Sequence, residues 1–284
     1  MDIAVRTEDR FVEIDGLKIR YLEQGSGHPV LLLHGSSLGS SADVFRRNLG
    51  PLADGGLRAI AYDMPGFGKS GRSENASAGF RKALVIKFMD ALGLDKAAVV
   101  GHSSSGNIAV GVGLDHPDRV SHVVILGTGS LLPPLESGVG GRGEAAQQRL
   151  EQRMARTEPG LEDTRALLEA NLFHHELITD DELTLRHSNS IGANFESFVE
   201  RNAPGKKNGG AKPSTPLWQR LDELKVPMLL IYGREDRGRA IDRIPLLRER
   251  YPGINLHIAE GCKHLVPWDA ADLFHREGIP FIAG

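Results

Sequence analysis

Apolar residues follow two rhythms along this chain. Residues 11–14 and 17–22 alternate apolar and polar positions around Asp15-Gly16, a dipeptide suited to a two-residue hairpin turn. Residues 29–33, Pro-Val-Leu-Leu-Leu, form an unbroken apolar run, and mostly apolar stretches of strand type occupy 57–62, 120–126 and 226–232. Runs of this kind are expected of strands covered on both faces. Helical patterns separate them at 42–52 and 78–92, the second followed by Gly93 as a C-terminal cap. Another strand-type run opens at Ala97, bends through Gly101-His102-Ser103-Ser104-Ser105-Gly106 and continues as a helix over 107–114. The chain closes with a helix at 241–251, a short strand at 254–258 and a helix at 269–282. Strands alternating with helices in this way predict an α/β fold, a mainly parallel sheet with helices on both faces.

That alternation stops between residues 131 and 216, where no strand pattern is visible. This stretch holds a Gly-rich run at 137–143, helical patterns at 144–156, 161–171 and 180–187, and a polar loop at 205–213. The expected organisation is a core of residues 1–130 and 217–284, with 131–216 inserted between two strands as a helical cap. Lys206, Lys207 and Lys212 read as a solvated loop, not a binding patch. No internal repeat stands out.

Composition narrows the function classes. A chain of 284 residues, 40% hydrophobic and 25% charged, supports one large α/β domain with an insertion and a sizeable core. A formal net charge of −3 gives no electrostatic case for nucleic acid or an anionic membrane as partner. The single cysteine, Cys262, excludes an internal disulfide and a Cys-based zinc site, and fits a reducing compartment. Residues 1–10 lack the apolar centre of a signal peptide, and no apolar run is long enough to cross a bilayer. A cytoplasmic protein without cofactor or metal, acting on a small molecule, is the expectation.

The candidate chemistry begins at the bend after residue 102. A strand meeting a helix through so tight a turn leaves its apex residue, Ser103, in a strained backbone conformation with its hydroxyl at the carboxyl end of the sheet. A serine hydroxyl is a poor nucleophile until a base takes its proton and a third group orients that base. Ser103, Asp236 and His264 each fall just beyond a predicted strand, at the edge where catalytic groups gather in such sheets. Alone, an aspartate there is a turn or helix cap and a histidine in a loop is surface. Together they read as a catalytic triad. Glu235 competes with Asp236 for the acid position, and Asp242 is a more distant choice. Backbone N–H groups of Ser104 and Ser36 are the expected donors to an oxyanion.

These segments, with Leu33-His34-Gly35, Asp63-Met64-Pro65-Gly66-Phe67-Gly68-Lys69-Ser70, Gly233-Arg234-Glu235-Asp236 and Cys262-Lys263-His264, occur in an order that resembles the α/β-hydrolase superfamily over nearly the whole length. The resemblance implies its fold: an eight-stranded, mainly parallel sheet with a helical lid and a nucleophile elbow at Ser103. The usual G-x-S-x-G here carries Ser105 in place of its second glycine. It also implies that His34 is structural. Within the superfamily, Phe67-Gly68-Lys69-Ser70 and residues 177–183 followed by Arg186 resemble the meta-cleavage-product hydrolases. Those enzymes hydrolyse a carbon–carbon bond in vinylogous 1,5-diketones formed by ring opening of catechols. The resemblance implies that Arg186 binds the carboxylate of an acidic carbonyl substrate. It implies further contacts from His102, Ser37, Leu265 and Trp268, and a homodimer.

Three positions depart from the subfamily: His102 replaces an asparagine, Ser36-Ser37-Leu38 replaces a Gly-rich segment, and Leu265 replaces a tryptophan, with Trp268 three residues on. A different keto acid or diketone, or a plain ester, stays open as substrate, and with it a carboxylesterase or lactonase activity. A ligand receptor and a cofactor-free oxygenase on the same scaffold are the alternatives from other classes. Serine at the apex, where those enzymes carry aspartate, argues against an epoxide hydrolase or dehalogenase.

Overall fold

The Asp15-Gly16 dipeptide turns the chain with both residues at positive φ (50° and 77°), so β1 (Arg10–Ile14) and β2 (Leu17–Gln24) pair antiparallel as the alternation predicts. The computed structural model describes residues 7–75, 77–135, 154, 156–203 and 215–284. β3 (His28–Leu33), β4 (Leu57–Tyr62), β5 (Ala97–His102), β6 (Val120–Leu126), β7 (Met228–Gly233) and β8 (Leu256–Ala259) complete an eight-stranded sheet in the order β1-β2-β4-β3-β5-β6-β7-β8. β2 meets β4 antiparallel, and every pairing from β4 to β8 is parallel.

The unbroken runs are buried on both faces because each face has its own core. On β3, Leu31 and Leu33 pack with α2 (Ala78–Ala91) and α3 (Gly106–Asp115), while Val30 and Leu32 pack with α1 (Arg46–Asp54) on the opposite face. Period-two alternation sends neighbouring side chains to opposite layers, and all six residues of β5 are buried. No helix among the described residues is long and apolar enough to cross a membrane.

Between β6 and β7, no strand occurs among the described residues. Three helices do: α4 (Leu161–Asn171), α5 (Asp180–Ser188) and α6 (Ala193–Asn202), of which α6 was not predicted. The Gly-rich run at 137–143 and the loop at 205–213 lie outside the described residues, as does the helix expected over 144–156 apart from Met154 and Arg156. Polar contacts dock the inserted helices onto loops at the carboxyl ends of the strands. Arg186 on α5 donates to the Ser37 hydroxyl and the Leu38 carbonyl. Asn194 and Arg201 on α6 donate to the carbonyls of Gly68 and Gly66, and the Arg201 guanidinium lies 3.8 Å from the centre of the Phe67 ring.

After β7 come α7 (Ala240–Arg250), α8 (Val266–Asp269) and α9 (Ala271–Ala283). The helix predicted over 269–282 is α9, which starts just after Ala270, whose backbone leaves the helical region (φ −123°, ψ 32°), and the four-residue α8 before it is not predicted.

Candidate active site

Glycine makes the bend after β5 possible. A Cβ on Gly101 would lie 2.5 Å from the Ser105 backbone oxygen, and one on Gly106 would lie 2.0 Å from the Thr128 hydroxyl. Neither contact is tolerable. With both positions bare, Ser103 sits at the apex with φ 56°, one of few non-glycine residues at positive φ among those described. Thr128, just past β6, donates its hydroxyl to the Ser103 carbonyl at 2.6 Å and holds the apex from below.

Three loops converge on this hydroxyl. His264, after β8, accepts the Ser103 Oγ–H at Nε2 (2.8 Å) and donates Nδ1–H to Asp236 Oδ2 (2.9 Å), which lies after β7. The acceptor at Asp236 fixes the tautomer. Asp236 is buried, which alone would raise its pKa. The imidazole beside it, the Gly238 N–H on Oδ1 at 2.9 Å and the Arg237 charge outweigh burial and bring it down to about 2. It is a fixed anion at neutral pH. Glu235 has a different partner, the Cys262 N–H at 2.9 Å, and Asp242 pairs with Arg239.

The imidazole loop is tied down from two sides. The Asn171 carbonyl, at the end of α4, accepts N–H bonds from both His264 and Leu265 at 3.0 Å. The Asp269 carboxylate accepts N–H bonds from Lys263, Phe173 and His174 at 2.9 to 3.0 Å. Thr128, Asn171 and Asp269 escaped the sequence reading, since each acts on backbone atoms of a distant segment.

Beyond β3, Gly35 lies against Ser103: a Cβ there would stand 3.0 Å from Ser103 Cβ. Ser36 follows it. The preceding His34 is fully buried, with Nδ1–H on the Gly35 carbonyl (2.7 Å) and Nε2 accepting the Met64 N–H (3.0 Å). Burial holds its pKa at about 3 against the pull of the Gly35 carbonyl, so it is a neutral brace between two loops. Ser105 adds a second brace by donating its hydroxyl to the His34 carbonyl.

The remaining sequence candidates divide. His102 is buried beside the site, its ring 5.4 Å from that of His264. Ser37 bonds Ser40 and Arg186. Arg186 has no carboxylate partner among the described residues, its Nε is sealed from solvent without an acceptor, and burial holds its guanidinium down to about 10. Leu265 is buried. Trp268 lies farther out, its indole N–H donating to the Val44 carbonyl at 2.9 Å, in a cleft it shares with Arg186, Asp43 and Glu182. No cluster of three or more His, Cys, Asp or Glu suited to a metal occurs among the described residues.

Comparison with known proteins agrees with the fold. The family profile for the alpha/beta hydrolase fold matches residues 28–271. A 2-hydroxy-6-oxo-6-phenylhexa-2,4-dienoate hydrolase of Burkholderia cepacia is 31% identical over 99% of both chains. A 2-hydroxy-6-oxononadienedioate/2-hydroxy-6-oxononatrienedioate hydrolase of Comamonas testosteroni is 30% identical over 98% of this chain and 97% of its own. Among solved structures, a meta-cleavage product hydrolase variant from Pseudomonas fluorescens IP01, complexed with acetates, is 26% identical. It covers 96% of this chain and 97% of that one, with a TM-score of 0.74.

Proposed function

The chain belongs to the α/β-hydrolase family, and from that premise we propose that it is a serine-dependent hydrolase of meta-ring-fission products, cleaving a carbon–carbon bond in a vinylogous diketone acid. The observation that carries the reading is the hydrogen-bonded line from Ser103 through His264 to an Asp236 that is ionised at neutral pH. The Arg186 guanidinium, which has no carboxylate partner among the described residues and an Nε without an acceptor, supports an acidic substrate, and the similarity to named dienoate hydrolases supports the bond that is cut.

In this reading His264 first relays a proton that converts the dienolate to its keto tautomer. It then takes the proton of the attacking oxygen, from Ser103 or from a water beside it, as that oxygen adds to the ketone carbonyl. The N–H groups of Ser104 and Ser36 receive the oxyanion. Collapse breaks the carbon–carbon bond, the released carbanion is protonated, and one water is consumed overall to give a carboxylic acid and a short dienoic acid. Residues 131–216 act as the cap over this site, with Arg186 holding the dienoate carboxylate. An ester substrate is the second reading, favoured by the departures from the subfamily at His102 and Leu265.

Both readings are tested by assaying the wild type and Ser103→Ala on a coloured ring-fission dienoate and on p-nitrophenyl esters. The expected result is rapid bleaching of the dienoate by the wild type, and a loss of about 10³-fold or more in the variant. Ester turnover without dienoate turnover would replace the first reading by the second. A Ser103→Ala variant as active as the wild type on every substrate would remove Ser103 from the chemistry.

A further inference from the structure

Asp236 lies on a short loop, and side chains on either side of that loop reach the same neighbour. On the β7 side, Tyr232 is buried and donates its hydroxyl to the Thr128 carbonyl at 3.0 Å. Burial lifts its pKa above the ordinary phenol range, so the hydroxyl keeps its proton. On the other side, Arg239 closes the loop at φ 53° with its N–H on the Asp236 carbonyl at 2.9 Å, and α7 starts at the next residue. Arg243, buried in the first turn of α7, donates to the carbonyls of Gly129 (2.7 Å), Leu132 (2.6 Å) and Pro133 (2.9 Å). A longer bond of 3.4 Å returns to the Gly238 carbonyl, in the acid loop itself.

Both anchors therefore grip the loop that follows β6. That loop is fastened in turn to the bend at Ser103, because the Thr128 hydroxyl donates to the Ser103 carbonyl at 2.6 Å. A second hydrogen-bonded path thus joins Ser103 to both flanks of Asp236, separate from the line through His264. Arginine suits this place. Three carbonyls of one short turn converge on it, and a planar guanidinium meets them with donors at fixed angles, which a single ammonium does not. A buried charge is costly unless it is hydrogen-bonded, so these contacts hold α7 and the turn in one relative position.

We propose that Tyr232 and Arg243 are positioning residues that keep the Asp236 carboxylate at bonding distance from His264, by fastening both sides of its loop to the loop that holds Ser103. The inference rests on the reading of Ser103, His264 and Asp236 as a catalytic line, and it holds whichever bond is cut. Each side chain acts through backbone atoms, so its loss misaligns Asp236 without removing a reacting group.

The test measures kcat and KM of the wild type, Tyr232→Phe and Arg243→Ala on whichever of the dienoate and the p-nitrophenyl ester the wild type turns over. Beside it is recorded the low-field proton resonance of the His264–Asp236 hydrogen bond, assigned by its loss in Asp236→Ala. The expected result is a kcat lower by about 10- to 100-fold in Arg243→Ala and by about three- to tenfold in Tyr232→Phe, with KM within about twofold, since misalignment penalises the transition state. The resonance shifts or vanishes in both variants while far-UV circular dichroism stays unchanged. Guanidinium ion at a subdenaturing concentration restores part of the rate of Arg243→Ala and none of that of Tyr232→Phe. Wild-type kcat in both variants would overturn the proposal. So would a lower kcat with the resonance unmoved, the outcome of a general loss of stability. If Arg243→Ala does not fold, Tyr232→Phe, which removes one oxygen and keeps the ring, decides by itself. A Ser103→Ala variant as active as the wild type would take down the catalytic line and this inference with it. An inactive Ser103→Ala beside fully active positioning variants would defeat this inference alone.

Discussion

Ser105 occupies a position where the elbow usually carries glycine, and its hydroxyl has a specific partner. It donates to the carbonyl of His34, the residue before Gly35 and Ser36, so the bend bearing Ser103 is bonded to the loop bearing Ser36, the second donor of the proposed oxyanion site. Replacing Ser105 with alanine would leave that buried carbonyl without its hydroxyl donor. The expected cost is about 1–2 kcal/mol in urea unfolding, with a fall in kcat larger than any change in KM, because the donors act on the transition state. A variant with wild-type kcat would show that the loop holds its place without this bond. The hydrogen-bonded line of Ser103, His264 and Asp236 was legible because the three, each ordinary alone, fall just beyond strands in one order along the chain. Ser105, Thr128 and Asn171 were not legible. Each bonds backbone atoms far away in sequence, and a backbone partner leaves no trace in residue type.

At the level of elements, the strands were legible because short, mostly apolar runs bounded by turns alternate with longer helical patterns. The hairpin was legible because its turn needs two residues at positive φ. α6 was missed for a physical reason. It starts after Gly192 without a side-chain cap, and it buries only Ser197 and Phe198, too little apolar periodicity to register. The short α8 was missed because four residues are too few to show a helical period, and its last residue, Asp269, gives its carboxylate to the N–H groups of Lys263, Phe173 and His174. That carboxylate joins the imidazole loop to the end of α4. Asp269→Ala is expected to destabilise the fold by about 2–4 kcal/mol, and to lower kcat by loosening the loop that carries His264. Asp269→Asn, which keeps one acceptor oxygen, should recover part of both. Equal kcat for Asp269→Ala and wild type on the same substrate would mean that the Asn171 carbonyl alone holds the loop.

Across the whole molecule, one buried ionic network links the sheet, the β4 loop and the inserted helices, and it has a pH signature. Arg20 on β2 is fully buried and bonds Asp43, before α1, and Asp63, after β4, while Asn189 at the end of α5 donates to Asp43. The Arg20 bonds to Asp43 are shorter, and Arg46 also pairs with Asp43, so Asp43 is held well below the usual carboxylate range. Asp63 gets less: burial lifts its pKa, Arg20 opposes, the Asp43 charge adds to the rise, and the result is about 6. Folding therefore raises the Asp63 pKa above the unfolded value of 3.8, so this group stabilises the fold below about pH 4 and loses that contribution as pH rises to about 6. His34 and His102 act oppositely. Their folded pKa values of about 3 lie below 6.5, so unfolding takes up protons, and stability falls as pH drops from about 6.5 towards 3. Between pH 4 and 6 the two histidines thus work against Asp63. Asp63→Asn removes one side of that opposition. In urea midpoints taken across this range, the variant's stability is expected to climb with pH more steeply than the wild type's, by up to about 1.4 kcal/mol per pH unit. The comparison of slopes holds even if the substitution lowers stability at every pH. Parallel curves would mean that Asp63 stays ionised throughout the range, with the Ala42 and Lys69 N–H bonds to its carboxylate outweighing burial.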